Sequence, residues 1–393
     1  MVLIMKKNLF LLIFGVLVSV TFLLSCQQEK TNLKYETQSL QLPATTPDYT
    51  VQLDQTVTPN GGFTTLPLTA PKINSERAQL GRVLFYDKKL SLNNTVACAS
   101  CHKQALGFAD DVRFSNGFNQ EKTTRNSMAI SNCAFTTDFF WDGRSKSLTE
   151  LVLQPARNHI EMGMENSTDI VEKLKKVDYY PALFGKAFDG NTEITKDRVI
   201  QAMSDFLNSM VSNNSKFDQG KKVNFSNFTA AEKLGQALFQ QQCSSCHAGF
   251  NLNSNEWDTR TERANIGLDV TYTDKGMGAI ESSMEGIFKV PSLRNVGLSA
   301  PYMHDGRFAT LSDVVEHYNQ NIQAHPNLDW RLQNNKGGVI NVDPVTGIPV
   351  NNFQMEGKKM NFTEADKKNL IAFLNTFTDN KFATDTRFAN PFK

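Results

Sequence analysis

The sequence predicts a mainly α-helical fold made of two tandem units of similar plan, and three observations predict it. Leu80-Gly81-Arg82-Val83-Leu84-Phe85 returns as Leu234-Gly235-Gln236-Ala237-Leu238-Phe239. Each copy precedes a Cys-x-x-Cys-His motif, first Cys98-Ala99-Ser100-Cys101-His102 and then Cys243-Ser244-Ser245-Cys246-His247. Runs of alternating apolar and polar residues are few, which argues against strands. At 393 residues, 40% hydrophobic and 21% charged, the chain has the length for two globular domains.

The N-terminus reads as a targeting segment. Lys6 and Lys7 precede the uncharged apolar run Leu9 to Leu24, which ends in Leu23-Leu24-Ser25-Cys26. A small residue before a cysteine resembles a lipobox, so residues 1–25 are expected to be a lipoprotein signal peptide and Cys26 the acylated first residue of the mature chain. The alternative is an ordinary signal peptide or a spanning anchor, for which the run is short. Residues 26–71, polar and rich in Thr, Gln and Pro, are expected to form a lipidated tether. The expected place is outside the cytoplasm, periplasm-facing or outer-membrane associated, with the membrane reached through the lipid anchor. The formal net charge is +1, and loss of Lys6 and Lys7 leaves 39 basic against 40 acidic residues. That balance excludes a nucleic-acid partner on electrostatic grounds.

The two units are expected over 72–225 and 226–380, with a tail over 381–393. Thr195 opens a helical pattern ending Phe206-Leu207-Asn208, and Thr363 opens one ending Phe373-Leu374-Asn375. Thr229 with Glu232 and Thr363 with Asp366 are N-caps with an acidic third residue. Residues 251–288 and 332–360, polar and rich in Gly and Asn, are expected to be surface loops.

Four of the six cysteines fall in the two Cys-x-x-Cys-His motifs. Their chemistry explains each fixed position: the thiols add across the two vinyl groups of a haem, and the adjacent His reaches the iron. Cys98, Cys101, Cys243 and Cys246 would thus hold two covalent haems, with His102 and His247 as proximal iron ligands. A redox disulfide would not need the trailing His twice, and a zinc site would want further ligands at paired spacing. Cys133 is left over and expected to be a buried thiol. No histidine lies between His102 and His159. The loop after the first motif therefore cannot supply a His ligand, and an iron lacking a strong sixth ligand is open to peroxide or another small molecule.

Beyond the haem motifs, the chain contains Arg125-Asn126-Ser127, Phe140-Trp141-Asp142-Gly143-Arg144, Ile160-Glu161-Met162-Gly163, Phe288-Lys289-Val290-Pro291-Ser292-Leu293-Arg294-Asn295 and Pro301-Tyr302-Met303-His304-Asp305-Gly306. In this order they resemble the bacterial dihaem cytochrome c peroxidase family, MauG-like branch, over roughly 72–378. The resemblance implies two cytochrome-c-like helical domains, a peroxidatic N-terminal haem and a C-terminal haem that passes electrons to it. It makes Glu161 the distal acid that moves a proton as the O–O bond breaks, a task that suits a carboxyl group over an open haem. It makes Trp141 the relay between the haems, Tyr318 the sixth ligand of the C-terminal iron, and Asn126 with the carbonyls of Ser299 and Pro301 a calcium site. Leu311, Val314, Val315 and Tyr318 share one helical face after a Thr310-x-x-Asp313 start, so Tyr318 points inward. His317 is the rival ligand, with Met303 and Met355 further candidates.

Two departures from the family pattern stand out. Phe118 occupies the place of the His that blocks the N-terminal haem in reductively activated peroxidases, so that gate is expected to be absent. Leu151 occupies the place of a distal Gln, leaving Gln154 and His159 as nearby candidates for a second polar group. The implied function is reduction of hydrogen peroxide with electrons from a small c-type cytochrome or a cupredoxin. The alternatives are MauG-like oxidation of a protein or organic substrate through high-valent haem, and non-catalytic electron transfer.

Overall fold

Asn74 opens the first helix by accepting the Arg77 N–H on its side chain. In the computed structural model, which describes residues 39–53, 69–253, 262–334, 341–342, 349–350 and 356–393, the main helices are α1 (Ser75–Tyr86), α2 (Ser167–Lys175), α3 (Tyr180–Ala187), α4 (Lys196–Ser209), α5 (Lys216–Lys222), α6 (Ala230–Gln242), α7 (Leu311–Gln320), α8 (Glu364–Asn375) and α9 (Asn380–Thr384). The only described strands are two-residue pieces, β1 (Arg263–Ala264) against β2 (Phe288–Lys289), and β3 (Asn341–Val342) against β4 (Pro349–Val350), both antiparallel. The mainly helical fold class read from the sequence stands. Residues 1–25 and Cys26 lie outside the described residues, among which no helix is long and apolar enough to cross a membrane.

The predicted caps form as written. The Thr195 hydroxyl accepts the Arg198 N–H at the start of α4. Thr229 with Glu232, Thr310 with Asp313 and Thr363 with Asp366 close reciprocal boxes at α6, α7 and α8. The repeated Leu-Gly marks where helices cross. A Cβ on Gly81 would lie 2.1 Å from the Ala202 carbonyl oxygen of α4, and one on Gly235 would lie 2.0 Å from that of Asn369 in α8. Each unit is thus built on a helix pair that approaches backbone to backbone, α1 on α4 and α6 on α8.

Around these pairs lie two apolar clusters. The first gathers Phe85, Phe184 and Phe206 from α1, α3 and α4. The second gathers Phe239, Phe373 and Phe377 from α6, α8 and the turn after it. The chain ends do not follow the sequence order. Phe382, Phe388 and Phe392 leave the second unit and join the first cluster.

Residues 39–53, inside the stretch read as a tether, meet that returning tail. The Gln41 N–H donates to the Pro391 carbonyl at 2.7 Å, and the fully buried Tyr49 donates its hydroxyl to the Arg387 carbonyl at 2.9 Å. Leu40, Leu42 and Tyr49 are too sparse to give a helical or strand period, which is why the segment reads as a linker. The expectation of a surface loop over 251–288 also fails in part. Leu252, Ala264, Leu268, Tyr272 and Phe288 are buried, and the Tyr272 hydroxyl donates to Asn265 Oδ1 at 2.9 Å. Side-chain hydrogen bonds order this segment, so its polarity misleads.

Candidate active site

Both Cys-x-x-Cys-His motifs end in the same local geometry. After His102 the chain turns through Gly107 and Phe108, both at positive φ, and brings the Phe108 carbonyl to 3.0 Å from His102 Nδ1. After His247 it turns through Gly249 and Leu252, and the Leu252 carbonyl lies 2.8 Å from His247 Nδ1. A carbonyl can only accept, so Nδ1 carries the proton and Nε2 keeps its lone pair. Burial holds both imidazoles below their ordinary range, His247 down to about 4. Neutral rings with a free Nε2 are iron ligands in waiting.

All six motif residues line one cavity of about 1120 Å³, above the ~300–1,000 Å³ of ordinary small-ligand pockets. Burial pushes the thiols of Cys98 and Cys243 up to about 12 and those of Cys101 and Cys246 up to about 11. Such protonated thiols lack the thiolate character of a redox pair. Among the described residues no cluster of three His, Cys, Asp or Glu side chains could hold a metal ion, which argues against zinc. The size of the cavity, the paired thiols and the oriented imidazoles fit haem.

Glu161 faces the same cavity as His102. Asn158 Oδ1 accepts the N–H groups of Ile160 and Glu161 at 2.9 and 3.2 Å, and the Phe118 N–H donates to the Glu161 carbonyl at 3.0 Å. The backbone is fixed, while the Glu161 carboxyl makes no hydrogen bond or ion pair among the described residues. Burial pushes that carboxyl up to about 7 against the pull of Arg144. Arg144 is itself tied to both oxygens of Asp142 at 3.0 and 3.1 Å, and lies 3.6 Å over the Phe140 ring.

Leu151 lines the cavity, whereas Gln154 and His159 do not. The Gln154 amide donates to Ser145 Oγ at 2.6 Å and to the Glu150 carbonyl at 3.1 Å, and His159 is exposed. Neither therefore replaces the missing Gln; the polar neighbour that does line the wall is Asn158. Phe118 is buried against Gly163, whose positive φ and absent side chain leave room for the ring, and it does not line the cavity. The Cys133 thiol forms part of the wall, and burial pushes it up to about 12.

At the junction of the units the Trp141 indole N–H donates to the Asn126 carbonyl at 2.9 Å, and the ring meets His304 edge to face with centroids 6.5 Å apart. Asn126, Ser299 and Pro301 all line the cavity. Asn126 Nδ2 donates to the carbonyls of Val112 and Arg113 at 3.2 and 3.3 Å. Residues 126–145 and 289–308 prove to be two copies of one turn. Asn132 and Asn295 each open a short 3-10 helix in the left-handed conformation. Phe140 with Gly143, and Met303 with Gly306, repeat the same positive φ pattern, inside the bridges Phe139 to Ser145 and Tyr302 to Phe308.

The copies clasp each other reciprocally. The Asn126 N–H donates to the His304 carbonyl and the Lys289 N–H to the Trp141 carbonyl, both at 2.8 Å. His304 is the counterpart of Trp141, and Lys289 that of Asn126. The sequence reading missed both, although the repeated Asp-Gly-Arg of 142–144 and 305–307 was a signal.

On α7, Leu311, Val314, Val315 and Tyr318 all line the cavity, as their spacing requires. The Tyr318 hydroxyl makes no hydrogen bond among the described residues. Burial raises it above the ordinary tyrosine range, and the sulfurs of Cys246 and Cys243 add to the effect. The rival His317 points elsewhere: its Nε2 donates to the Ile266 carbonyl at 2.9 Å, and the ring does not line the cavity. Met303 lines it, while Met355 lies outside the described residues.

Residues 75–224 match the family model described as di-haem cytochrome c peroxidase. The chain is 31% identical over 315 residues to the methylamine utilization protein MauG of Methylorubrum extorquens, covering 78% of this chain and 80% of the relative. It is 32% identical over 251 residues to the cytochrome c551 peroxidase of Nitrosomonas europaea, covering 62% of this chain and 72% of the relative. Among solved structures it is similar to a MauG-like protein associated with microbial copper homeostasis, with a TM-score of 0.68 and 29% identity over 86% of this chain and 99% of the other.

Proposed function

The chain belongs to the di-haem cytochrome c peroxidase family, and from that premise we propose that it reduces hydrogen peroxide to two waters, taking two electrons from a small c-type cytochrome or a cupredoxin and two protons from solvent. The observation that carries this reading is the unpartnered Glu161 carboxyl in the cavity it shares with His102, pushed by burial to about 7. Haem bound at the two motifs would supply the iron at which peroxide is cleaved and a second iron for electron storage.

Cys98 and Cys101 would anchor the first haem, and Cys243 and Cys246 the second. His102 and His247 would present Nε2 to the irons, each held by its carbonyl. Glu161 would accept a proton from one peroxide oxygen and return it to the other, a transfer for which a carboxyl near neutrality is suited. Phe118 supports peroxide access without prior reduction, because it packs on Gly163 and does not itself line the cavity. Trp141, clamped through its indole N–H, would relay electrons between the units.

Tyr318 would ligate the second iron. Its free hydroxyl favours a second reading, MauG-like oxidation of a protein or organic substrate, because a hard phenolate lowers the haem potential. Asn126, with its amide nitrogen engaged and its oxygen left over, would join the Ser299 and Pro301 carbonyls around calcium. Lipidation at Cys26 would hold the exported protein at a membrane surface.

Mixing hydrogen peroxide with the fully oxidised two-haem protein tests the main reading. An immediate Soret change, and oxidation of two reduced donor molecules per peroxide, are expected. A Soret change that appears only after one-electron reduction, or no donor oxidation at all, overturns it.

A further inference from the structure

Lys289 is 7% exposed, lines the cavity, and makes no hydrogen bond or ion pair among the described residues through its ammonium group. Its backbone is held at both sides. The N–H donates to the Trp141 carbonyl at 2.8 Å, and the residue stands directly opposite Arg263 in the β1–β2 pair. Residues directly opposite in such a pair place their side chains on one face, where like charges repel.

The acidic group near both is Asp138, 1% exposed. One of its oxygens already binds the Arg263 guanidinium, with Lys146 Nζ 3.9 Å away, and its Oδ1 has no hydrogen-bond partner among the described residues. Asp138 thus pairs with the solvent-exposed Arg263, and among the described residues no ion pair reaches the buried ammonium of Lys289. A buried unpaired ammonium is costly, so an anion is expected at its tip. In the other copy of the turn the counterpart is the neutral Asn126, so this charge belongs to one side of the junction only.

We propose that Lys289 is an anion-binding residue that receives a propionate carboxylate of a haem inside the cavity and thereby fixes both the position and the potential of that haem. The inference rests on the di-haem reading above. Lys289 acts through the haem it holds and is a positioning residue.

The test compares the full-length wild type with Lys289→Met, Lys289→Gln and Lys289→Arg, each first weighed to establish two attached haems. Both midpoint potentials are then measured by spectroelectrochemistry. Removing a buried positive charge beside a haem carboxylate disfavours reduction. Lys289→Met is expected to lower one potential by at least the tenfold change in equilibrium that corresponds to about 59 mV for one electron. Lys289→Arg is expected to restore it. Lys289→Gln, one atom shorter, keeps a donor but not the charge, and gives the same lowering should the methionine variant fail to accumulate. Two haems by mass with both potentials unchanged in Lys289→Met or Lys289→Gln overturns the proposal and leaves the di-haem reading intact. A wild type without two haems overturns the reading beneath it.

Discussion

Replacing Glu161 by Gln keeps the shape of the side chain and removes its capacity to exchange a proton at neutral pH. General acid–base groups contribute about 10²–10⁴-fold, or about 2.7–5.4 kcal/mol of barrier at 1.36 kcal/mol per tenfold. The peroxide-cleavage rate in Glu161→Gln is expected to fall by that factor while both haems stay attached. The pH dependence gives a second readout. Burial raises the Glu161 carboxyl to about 7, with Arg144 opposing. If the ionised form takes the first proton from peroxide, about half of the protein is competent at pH 7 and about 1% at pH 5. The second-order rate constant with peroxide is therefore expected to fall about fifty-fold between those pH values and to level off above pH 8. In Glu161→Gln the profile is flat. Arg144→Met, by removing the group that favours the carboxylate, moves the midpoint to higher pH. Stopped-flow Soret traces across pH 5–9 measure all three proteins. A wild-type rate in Glu161→Gln, or a midpoint that stays near 7 in that variant, refutes the assignment.

If Tyr318 ligates the second iron as proposed, Tyr318→Phe is expected to change the low-spin signal of the resting ferric protein in electron paramagnetic resonance, because the hydroxyl is lost while the ring remains. His317→Ala is expected to leave that signal in place, since His317 is bonded to the Ile266 carbonyl; the opposite pair of results would make His317 the ligand. Arg294→Met removes from the buried Asp218 two guanidinium N–H bonds at 2.9 and 3.1 Å, leaving it Lys221 and Ser215, and is expected to cost about 2–3 kcal/mol in urea unfolding. Although burial pushes the Asp218 carboxyl up, Arg294 and Lys221 hold it well below the usual range. Its contribution is therefore full above the unfolded aspartate value of about 3.9 and is lost as pH falls through the lower folded value. Acid unfolding curves of Arg294→Met should show a shallower loss there. Gly81→Ala places a methyl 2.1 Å from a backbone oxygen, so at least the ~1–3 kcal/mol of an overpacked core is expected. A melting temperature equal to wild type would show that the α1 and α4 contact yields freely.

The distal pocket separates two kinds of information. Glu161 could be proposed from the sequence because a carboxyl in a characteristic string carries its own chemistry. Gln154 and His159 were equally near in sequence, and the choice between them and Asn158 depended on which way a one-turn helix faces. The Gln154 amide is used up by Ser145 Oγ and the Glu150 carbonyl, and His159 stands in solvent. Neither fact has a signature in the order of residues. His317 and Tyr318 repeat the point: adjacent residues on a helix diverge by about 100°, so one enters the cavity and the other cannot.

The sequence by itself determined what depends on neighbours in the chain. Two complete Cys-x-x-Cys-His motifs, reciprocal caps at Thr229, Thr310 and Thr363, and the repeated Leu-Gly at the helix crossings are local patterns, each with a chemical or steric reason within a few residues. Only the tertiary structure decided what depends on distant segments meeting. The tail carrying Phe382, Phe388 and Phe392 crosses back to seal the first unit with residues 39–53. The two copies of the turn clasp through Asn126, Trp141, Lys289 and His304. Arg263, Asp138 and Lys289 converge from three parts of the chain, Asp138 and Lys289 buried and Arg263 at the surface. Periodicity encodes which face of an element is buried, whereas the partner on that face is fixed by packing and electrostatic complementarity over the whole fold, which no local pattern contains.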